Sequence, residues 1–290
     1  MKEDGKRDLL RPILAVGTCF LLQQVALFVL IPVLQAMGGQ MMALTVSMLL
    51  SAAAAGALAM AIFESRNVLD LGLRWRDGTT RNLLTGMALG VGAAAAVILP
   101  AVALGMAHYR QLANPDISWR GAMFMPVLLF CGAMGEEIVF RGFMLQYLMR
   151  GWGRWIAILV LGAVFGFVHN DNPSATLLSD GNTALFGILF GFAILRSHDL
   201  WLPIGLHFGW NVTLPFLGVA VSGLTIRVAG YELVWKSGDV WSGGKYGPEG
   251  GVPTSAILAI LFLVVWKMPV RKGWAYLLDE PEEPAYTPAP

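Results

Sequence analysis

Two adjacent carboxylates and a guanidinium stand in the middle of one long apolar stretch, in the run Gly135-Glu-Glu-Ile-Val-Phe-Arg141. In a helix, Glu137 and Arg141 are one turn apart on the same face and can form an ion pair. Glu136 points about 100° away and lacks a local countercharge. Such a carboxylate can act as a general base. The motif alone is equally consistent with a structural ion-pair cluster or with a proton or ion relay.

The position of these charges within an apolar stretch restricts where they can point. Each charged group near the centre of a bilayer costs about 2.5–3.5 kcal/mol. Three of them facing lipid would cost close to 10 kcal/mol, roughly the whole stability of a domain. We therefore expect Glu136, Glu137 and Arg141 to face one another, a water-filled cavity, or both.

Two further motifs pair polar residues at helical spacing inside apolar stretches. Phe165 and His169 share one helix face in Phe-Gly-Phe-Val-His, and His207 and Asn211 share another in His-Phe-Gly-Trp-Asn. Taken singly, His169 could be an interfacial hydrogen-bonding residue, and His207 with Asn211 could bond one helix to another. Their occurrence together with the carboxylate motif favours one shared polar cavity.

The composition identifies the elements that must position these residues as membrane helices. The chain has 290 residues, of which 56% are hydrophobic and 13% are charged, with a mean hydropathy of +0.63. A soluble domain carries about 25% charged residues, so most of this surface must face lipid. No basic stripe accompanies aromatic residues, which argues against a nucleic-acid partner.

Eight stretches approach the length of about 20 apolar residues that a spanning helix needs. The predicted fold is therefore all-α, a polytopic bundle of about eight transmembrane helices. Small residues crowd the second and third stretches and permit close helix contacts. The stretches are Pro12–Leu34, Met41–Phe63, Leu83–Ala107, Gly121–Met149, Trp155–His169, Thr183–Leu195, Leu200–Leu224 and Thr254–Met268.

The stretches indicate one membrane-embedded domain over residues 1–278, with the motif core at about 121–224. Residues from about 225 to 253 are polar and rich in Gly and Trp, and we expect them to form an external loop with some order of its own. Residues 279–290 are acidic and Pro-rich, which is typical of a disordered tail.

The basic residues predict the orientation of this domain. With the N-terminus inside, fourteen Lys and Arg side chains fall in inside segments and five in outside segments. Cytoplasmic loops carry the excess of basic residues. Both termini are therefore predicted to be cytoplasmic in a multi-pass protein, and the size of the chain favours a prokaryotic cell membrane.

The three motifs, Glu-Glu-x-x-x-Arg at 136–141, Phe-x-x-x-His at 165–169 and His-x-x-x-Asn at 207–211, resemble in order those of the CAAX-protease and bacteriocin-processing family of intramembrane endopeptidases. That family includes the type II CAAX prenyl endopeptidases. The resemblance implies that Glu136 activates the attacking water with the assistance of His169. It implies that His207 and Asn211 stabilise the oxyanion, and that Glu137 and Arg141 hold their helix in place.

General chemistry supports a similar assignment. Peptide hydrolysis needs a base for water, a proton for the leaving amine and donors aimed at the developing oxyanion. Glu136 and His169 can supply the first two, while the His207 ring and the Asn211 amide can supply the donors. Phe165 is expected at the cavity wall.

A metal cofactor is a separate question. Glu136, His169 and His207 are a candidate ligand set for zinc, since one carboxylate and two imidazoles with an open position are common in catalytic zinc sites. No His-Glu-x-x-His helix is present in the sequence. The resemblance favours a metal-free glutamate mechanism, so we expect no metal to be required.

The sequence therefore predicts an intramembrane peptidase that acts on a peptide or membrane-protein segment, with a lipid-modified C-terminal tail among the candidate substrates. Two rival functions remain. A proton-coupled transporter or channel would use the buried carboxylates as a relay, although inverted repeats are not evident. A non-catalytic membrane scaffold would bind a partner through the same cavity.

Overall fold

The computed structural model describes residues 10–113 and 117–279, and it confirms the all-α membrane fold. A short antiparallel ribbon of two strands accompanies the helices. The strands are β1, Ala107–Gln111, and β2, Tyr231–Trp235. The helices are α1 Leu10–Glu64, α2 Thr79–Ala103, α3 Trp119–Glu137, α4 Leu145–Trp152, α5 Arg154–Val168, α6 Leu177–Ser197, α7 Trp201–Phe216, α8 Asp239–Ser242 and α9 Val252–Lys267.

Helix α1 combines the first two predicted spans. It is 55 residues long and breaks at Gly39, whose φ of 80° and ψ of −178° are not helical. Glycine tolerates this backbone because it lacks a Cβ. The spans predicted at 12–34 and 41–63 correspond to the two halves of α1 on either side of this residue.

Four helical runs among the described residues are long and apolar enough to cross a membrane: α1, α2, the continuous run Trp119–Trp152, and α6. Helices α5 and α9 are shorter and apolar. Helix α6 was predicted as the short span 183–195, which is wrong at its start. It begins at Leu177, where Thr176 and Ser179 cap each other reciprocally. The first turns contain polar residues, so the apolar pattern did not predict where the helix starts.

Two other predicted boundaries differ from the structure. Helix α7 ends at Phe216 instead of Leu224, because the chain turns at Gly218 with a φ of 72°. Helix α2 ends at Ala103, and Ala107 already belongs to β1. The predicted loop at 225–253 is ordered, since it contains β2, α8 and the 3-10 turn Pro248–Gly250.

The run Trp119–Trp152 changes its winding in the middle. Between α3 and α4, residues Ile138–Met144 form a π-helical segment, in which Gly142 has a ψ of −109°. Such wide turns often occur at functional sites. Both Glu136 and Glu137 lie immediately before this segment, and Arg141 lies within it.

Helices α2 and α7 touch through glycines on both sides. A Cβ added to Gly90 would lie 2.2 Å from the carbonyl oxygen of Leu206, and one on Gly209 would lie 2.3 Å from that of Met87. Small residues allow this approach of two backbones in a membrane. Because His207 lies two residues before Gly209, this contact fixes the depth and rotation of the α7 motif.

The two ends of the bundle differ. The β1–β2 ribbon, with Ala107 opposite Trp235, lies at the end where α2 finishes and α3 begins. At the opposite end the segment after α9 packs on the loops before α2 and α7. The same segment also contacts α4, because Arg150 donates to the carbonyl oxygens of Tyr276 and Leu277. The predicted tail at 279–290 lies outside the described residues except for Asp279, which bonds His198 at 2.7 Å.

Candidate catalytic site

One cavity of about 420 Å³ brings together the four residues predicted to carry the chemistry, Glu136, His169, His207 and Asn211. Helices α1, α3 and α7, the π-helical segment, the end of α5 with the loop after it, and the chain after α7 enclose it. Most of the remaining wall is apolar and comes from α1, α3 and the turn after α7. Examples of this apolar lining are Phe20, Leu27, Met41, Leu44, Leu129 and Leu224.

Glu136 lies between two imidazole rings. Its Oε2 atom is 3.9 Å from Nε2 of His169 and 3.9 Å from Nε2 of His207. These separations exceed hydrogen-bonding distance. Among the described residues, no group hydrogen-bonds this buried oxygen. The carboxylate can therefore bind a small polar molecule that lies between it and the two imidazole rings.

A backbone carbonyl orients His169, the C-cap residue of α5. Its Nδ1 lies 2.7 Å from the carbonyl oxygen of Phe165. Because that oxygen only accepts, Nδ1 must carry the proton. In the neutral ring, Nε2 then carries no proton, and its lone pair is directed towards Glu136.

Glu137 orients His207 in the same way. Nδ1 of His207 lies 2.9 Å from Oε1 of Glu137, and the ring stacks on Phe190 with centroids 4.9 Å apart. An ionised carboxylate only accepts, so Nδ1 of His207 is the donor. The Nε2 atom then donates a hydrogen bond only when the ring is protonated.

Glu137 and Arg141 form the expected ion pair, with 3.3 Å between Oε1 and the guanidinium and side-chain exposures of 0% and 2%. The guanidinium also donates to the carbonyl oxygen of Gly187 at 3.1 Å. It lies 4.2 Å from the ring centroid of Phe165. These contacts compensate a charge that would otherwise be expensive to bury.

Three placements were not anticipated. Glu137 contacts His207 although 70 residues separate them, and no local pattern signals that contact. Phe165 lies behind the cavity wall, packed on the ring of His169 at 4.6 Å, and Phe140 lines the cavity in its place. Asn172, in the turn after His169, also lines the cavity.

The candidate zinc ligands lie farther apart than the ligands of a tetrahedral zinc ion. Ligands that share a tetrahedral zinc at bonds of about 2.0–2.1 Å lie about 3.3 Å apart, whereas Glu136 is 3.9 Å from each histidine. In residues 10–113 and 117–279, no three His, Cys, Asp or Glu side chains are grouped to hold a metal.

Comparison with known proteins identifies one family that resembles this region of the chain. Residues 117–213 match the family Type II CAAX prenyl endopeptidase Rce1-like. Over these residues the chain is similar to an Rce1-like domain. The domain begins just before α3 and ends within α7, so it includes all three motifs. It supports a CAAX-protease-like function in general terms and, with the apolar helices, an integral membrane protein.

A curated relative matches a longer stretch of this chain than the family does. The chain is 26% identical over 140 residues to an uncharacterized 24.3 kDa protein of Escherichia coli. That stretch is 48% of this chain and 60% of the relative. The chain therefore spans about 60% of the length of the curated relative that it matches.

Proposed function

We propose that this protein is an intramembrane endopeptidase in which Glu136 activates a water molecule. The observation that carries the proposal is the unpartnered Oε2 of Glu136, 3.9 Å from two imidazole nitrogens inside a cavity. A gap of this size between polar atoms suits a bridging water. Such a water would touch both the base and a ring that can take or return a proton.

The hydrolysis proceeds in two steps. Glu136 takes a proton from water as the water oxygen bonds to the substrate carbonyl carbon, and the carbonyl oxygen becomes an oxyanion. Asn211 and the protonated His207 donate to that oxyanion, and Glu137 stabilises the positive ring. His169 assists Glu136, and the proton passes to the amine as the carbon–nitrogen bond breaks.

The apolar cavity wall supports a proposal for the substrate class. Leu129, Leu224 and Ile226 stand on one side, and α1 contributes further apolar side chains. We expect the residues that flank the scissile bond to be apolar, in an extended peptide. Prenylated tails, leader peptides and segments of other membrane proteins all meet this requirement.

Substitution of the base tests the mechanism. Glu136→Gln and His169→Ala should each lower cleavage of a reporter peptide by roughly 10²–10⁴-fold, the usual contribution of general acid–base catalysis. Thermal unfolding in detergent should change little. Glu232→Gln, in the exposed pair with Arg110, is the matched control and should retain activity. Cleavage by Glu136→Gln at the wild-type rate would rule out this mechanism.

Three added measurements separate the proposal from its rivals. Comparing the membrane peptides of wild-type and Glu136→Gln cells should reveal substrates that accumulate uncut. A proton flux in vesicles that Glu136→Gln abolishes, without cleavage of any peptide, would favour a transporter. Dialysis against a chelator, followed by metal analysis and assay, should leave cleavage unchanged. Activity that disappears and returns with zinc would contradict the metal-free mechanism.

A further inference from the structure

A carboxylate outside the three motifs is buried beside the cavity. Glu249 lies in the 3-10 turn Pro248–Gly250 and is 5% exposed. Its Oε1 accepts from Nε1 of Trp210 and from Oγ of Ser222, each at 3.1 Å. Its Oε2 accepts from the backbone N–H of Ser222. One side chain thus joins α7 to the chain that follows it.

Ser222 belongs to a tight turn that forms part of the cavity wall. In the segment Val221–Leu224, hereafter the wall turn, Val221, Ser222 and Leu224 line the cavity. Ser222 has a φ of 46° and Gly223 a φ of 84°, both in the left-handed region. For Ser222, which unlike glycine has a Cβ, this backbone is strained and persists only where neighbouring contacts hold it.

Further contacts place the wall turn against the loop that follows His169. The N–H of Gly223 donates to the carbonyl oxygen of Tyr246 at 2.8 Å. A Cβ on Gly223 would lie 2.1 Å from the carbonyl oxygen of Pro173, so only glycine permits this approach. The wall turn is therefore packed between the His169 loop and the Glu249 turn.

The wall turn offers what an extended peptide needs. The four backbone N–H groups of the wall turn all donate within the fold, so the turn can hold an apolar segment through its side chains and its remaining carbonyl acceptors and not through free N–H donors. Leu224 adds an apolar side chain to the cavity next to this backbone. Ser222 therefore lies at the junction of a substrate surface and a buried anchor.

We propose that Glu249 is a positioning residue that clamps the wall turn against α7, and that the clamped turn is the surface on which the substrate segment binds. The binding part rests on the proposed peptidase function. The clamp itself does not, and it can be measured without any substrate.

The charge environment gives the clamp a pH dependence. Burial raises the pKa of Glu249, which its bonds from Ser222 and Trp210 and the nearby His169 ring partly offset. Tyr246 also faces it, with a pKa raised to about 12 by burial and by the Glu249 charge. Protonation of Glu249 in acid removes acceptors that Ser222 and Trp210 use, so the clamp should loosen as the pH falls.

Hydrogen exchange tests the clamp directly. Glu249→Gln keeps the size of the side chain and replaces one acceptor oxygen with a donor. The amides of residues 217–224 should exchange faster in Glu249→Gln than in wild type. Glu232→Gln, the same substitution in an exposed ion pair, should leave them unchanged. Equal exchange in Glu249→Gln and wild type would overturn the clamp.

Kinetics test the role in binding. Glu249→Gln should raise KM about tenfold, as expected for loss of one charge-assisted hydrogen bond. The change in kcat should be smaller. The KM of the wild type should rise in acid, and that of the variant should not. A fall in kcat at unchanged KM would contradict a substrate-binding role for the wall turn.

A second variant covers the case in which Glu249→Gln does not fold. Ser222→Ala removes one bond to Glu249 and should cause a smaller increase in both exchange and KM. Combined with Glu249→Gln it should add little, because the two residues act as a unit. No change in Ser222→Ala would again refute the clamp. If the wild type cleaves no peptide, the peptidase proposal fails and hydrogen exchange alone decides the clamp.

Discussion

At the scale of single residues, Glu137 has more contacts than its place in an ion pair requires. Its Oε1 meets both the Arg141 guanidinium at 3.3 Å and Nδ1 of His207 at 2.9 Å. One buried carboxylate therefore faces two groups that carry or can carry a positive charge. Through His207 it also determines which ring nitrogen is directed at the cavity.

Glu137→Gln should therefore affect both stability and catalysis. Removing one partner of a buried ion pair costs about 3–5 kcal/mol, because the other charge is left uncompensated. We expect a lower unfolding temperature in detergent and a lower kcat. Adding Arg141→Met should recover part of the stability but not the activity. Recovery of both would show that Glu137 does not act through His207.

The contact within the carboxylate motif could be predicted from the sequence, whereas its contact with a residue far along the chain could not. The Glu137–Arg141 pair follows from helical spacing alone. The approach of His207 to Glu137 depends on how α7 packs in the bundle, and sequence spacing contains no such information. Phe165 shows the same limit, since the helix face that it shares with His169 packs behind the cavity.

At the scale of elements, the glycines of α2 and α7 set the position of the third motif. Gly205 and Gly209 flank His207, and a Cβ on either would lie within 2.3 Å of an α2 carbonyl oxygen. The crowding of small residues in the third predicted span indicated close packing of that helix. Its partner, α7, could not be identified from the sequence, because many pairings of apolar helices satisfy the same pattern.

Gly90→Ala and Gly92→Ala form a matched pair that tests this contact. A Cβ on Gly90 would lie 2.2 Å from the carbonyl oxygen of Leu206, whereas one on Gly92 would meet nothing within 4 Å. Gly90→Ala should separate α2 from α7, lower the unfolding temperature and reduce cleavage at least tenfold by displacing His207. Gly92→Ala should behave as wild type. Equal activity of the two variants would exclude a positioning role for the glycine contact.

A buried aspartate between α6 and α7 gives a pH-dependent stability. Burial raises the pKa of Asp199 to about 6, although bonds from Trp201, Asn82 and Thr79 oppose the shift. The unfolded chain has an aspartate pKa of about 3.9. The folded state therefore holds this proton more tightly, so its stabilising contribution is complete below about pH 4 and lost as the pH rises through about 6.

Measuring thermal unfolding in detergent between pH 4 and 8 tests the direction of this pH dependence of stability. Asp199→Asn should remove this part of the pH dependence, whereas Asp77→Asn should keep it. The difference in unfolding temperature between wild type and Asp199→Asn should change most between about pH 4 and 6. Parallel curves would show that Asp199 does not titrate differently in the folded state.

At the scale of the whole molecule, residues that were predicted to share a membrane side share an end of the bundle. Arg150 packs on Tyr276 and Gly78 lies against Arg271 at one end, while Lys236 follows the ribbon at the other. The all-α fold was predictable because long apolar stretches dominate the sequence. The ribbon was not, because its strands lie more than a hundred residues apart and neither shows a clear alternation.

Labelling of single cysteines tests the predicted orientation. Asp77→Cys and Lys236→Cys, each in a chain with Cys19 and Cys131 replaced by alanine, should react from opposite sides of the membrane. With cytoplasmic termini, an impermeant maleimide should label Lys236→Cys in intact cells and Asp77→Cys only after permeabilisation. The reverse pattern would place both termini outside.

The π-wound segment Ile138–Met144 has a consequence for how this protein can vary in length. A wide turn accommodates one residue more than regular α-helix does over the same rise. Deleting a residue within it lets the flanking faces of α3 and α4 keep their phase, whereas a deletion earlier in α3 would rotate the part of α3 before it by about 100° relative to Glu136 and α4. The segment next to Glu136 and Glu137 is thus where this span can become shorter without rotating its two halves against each other.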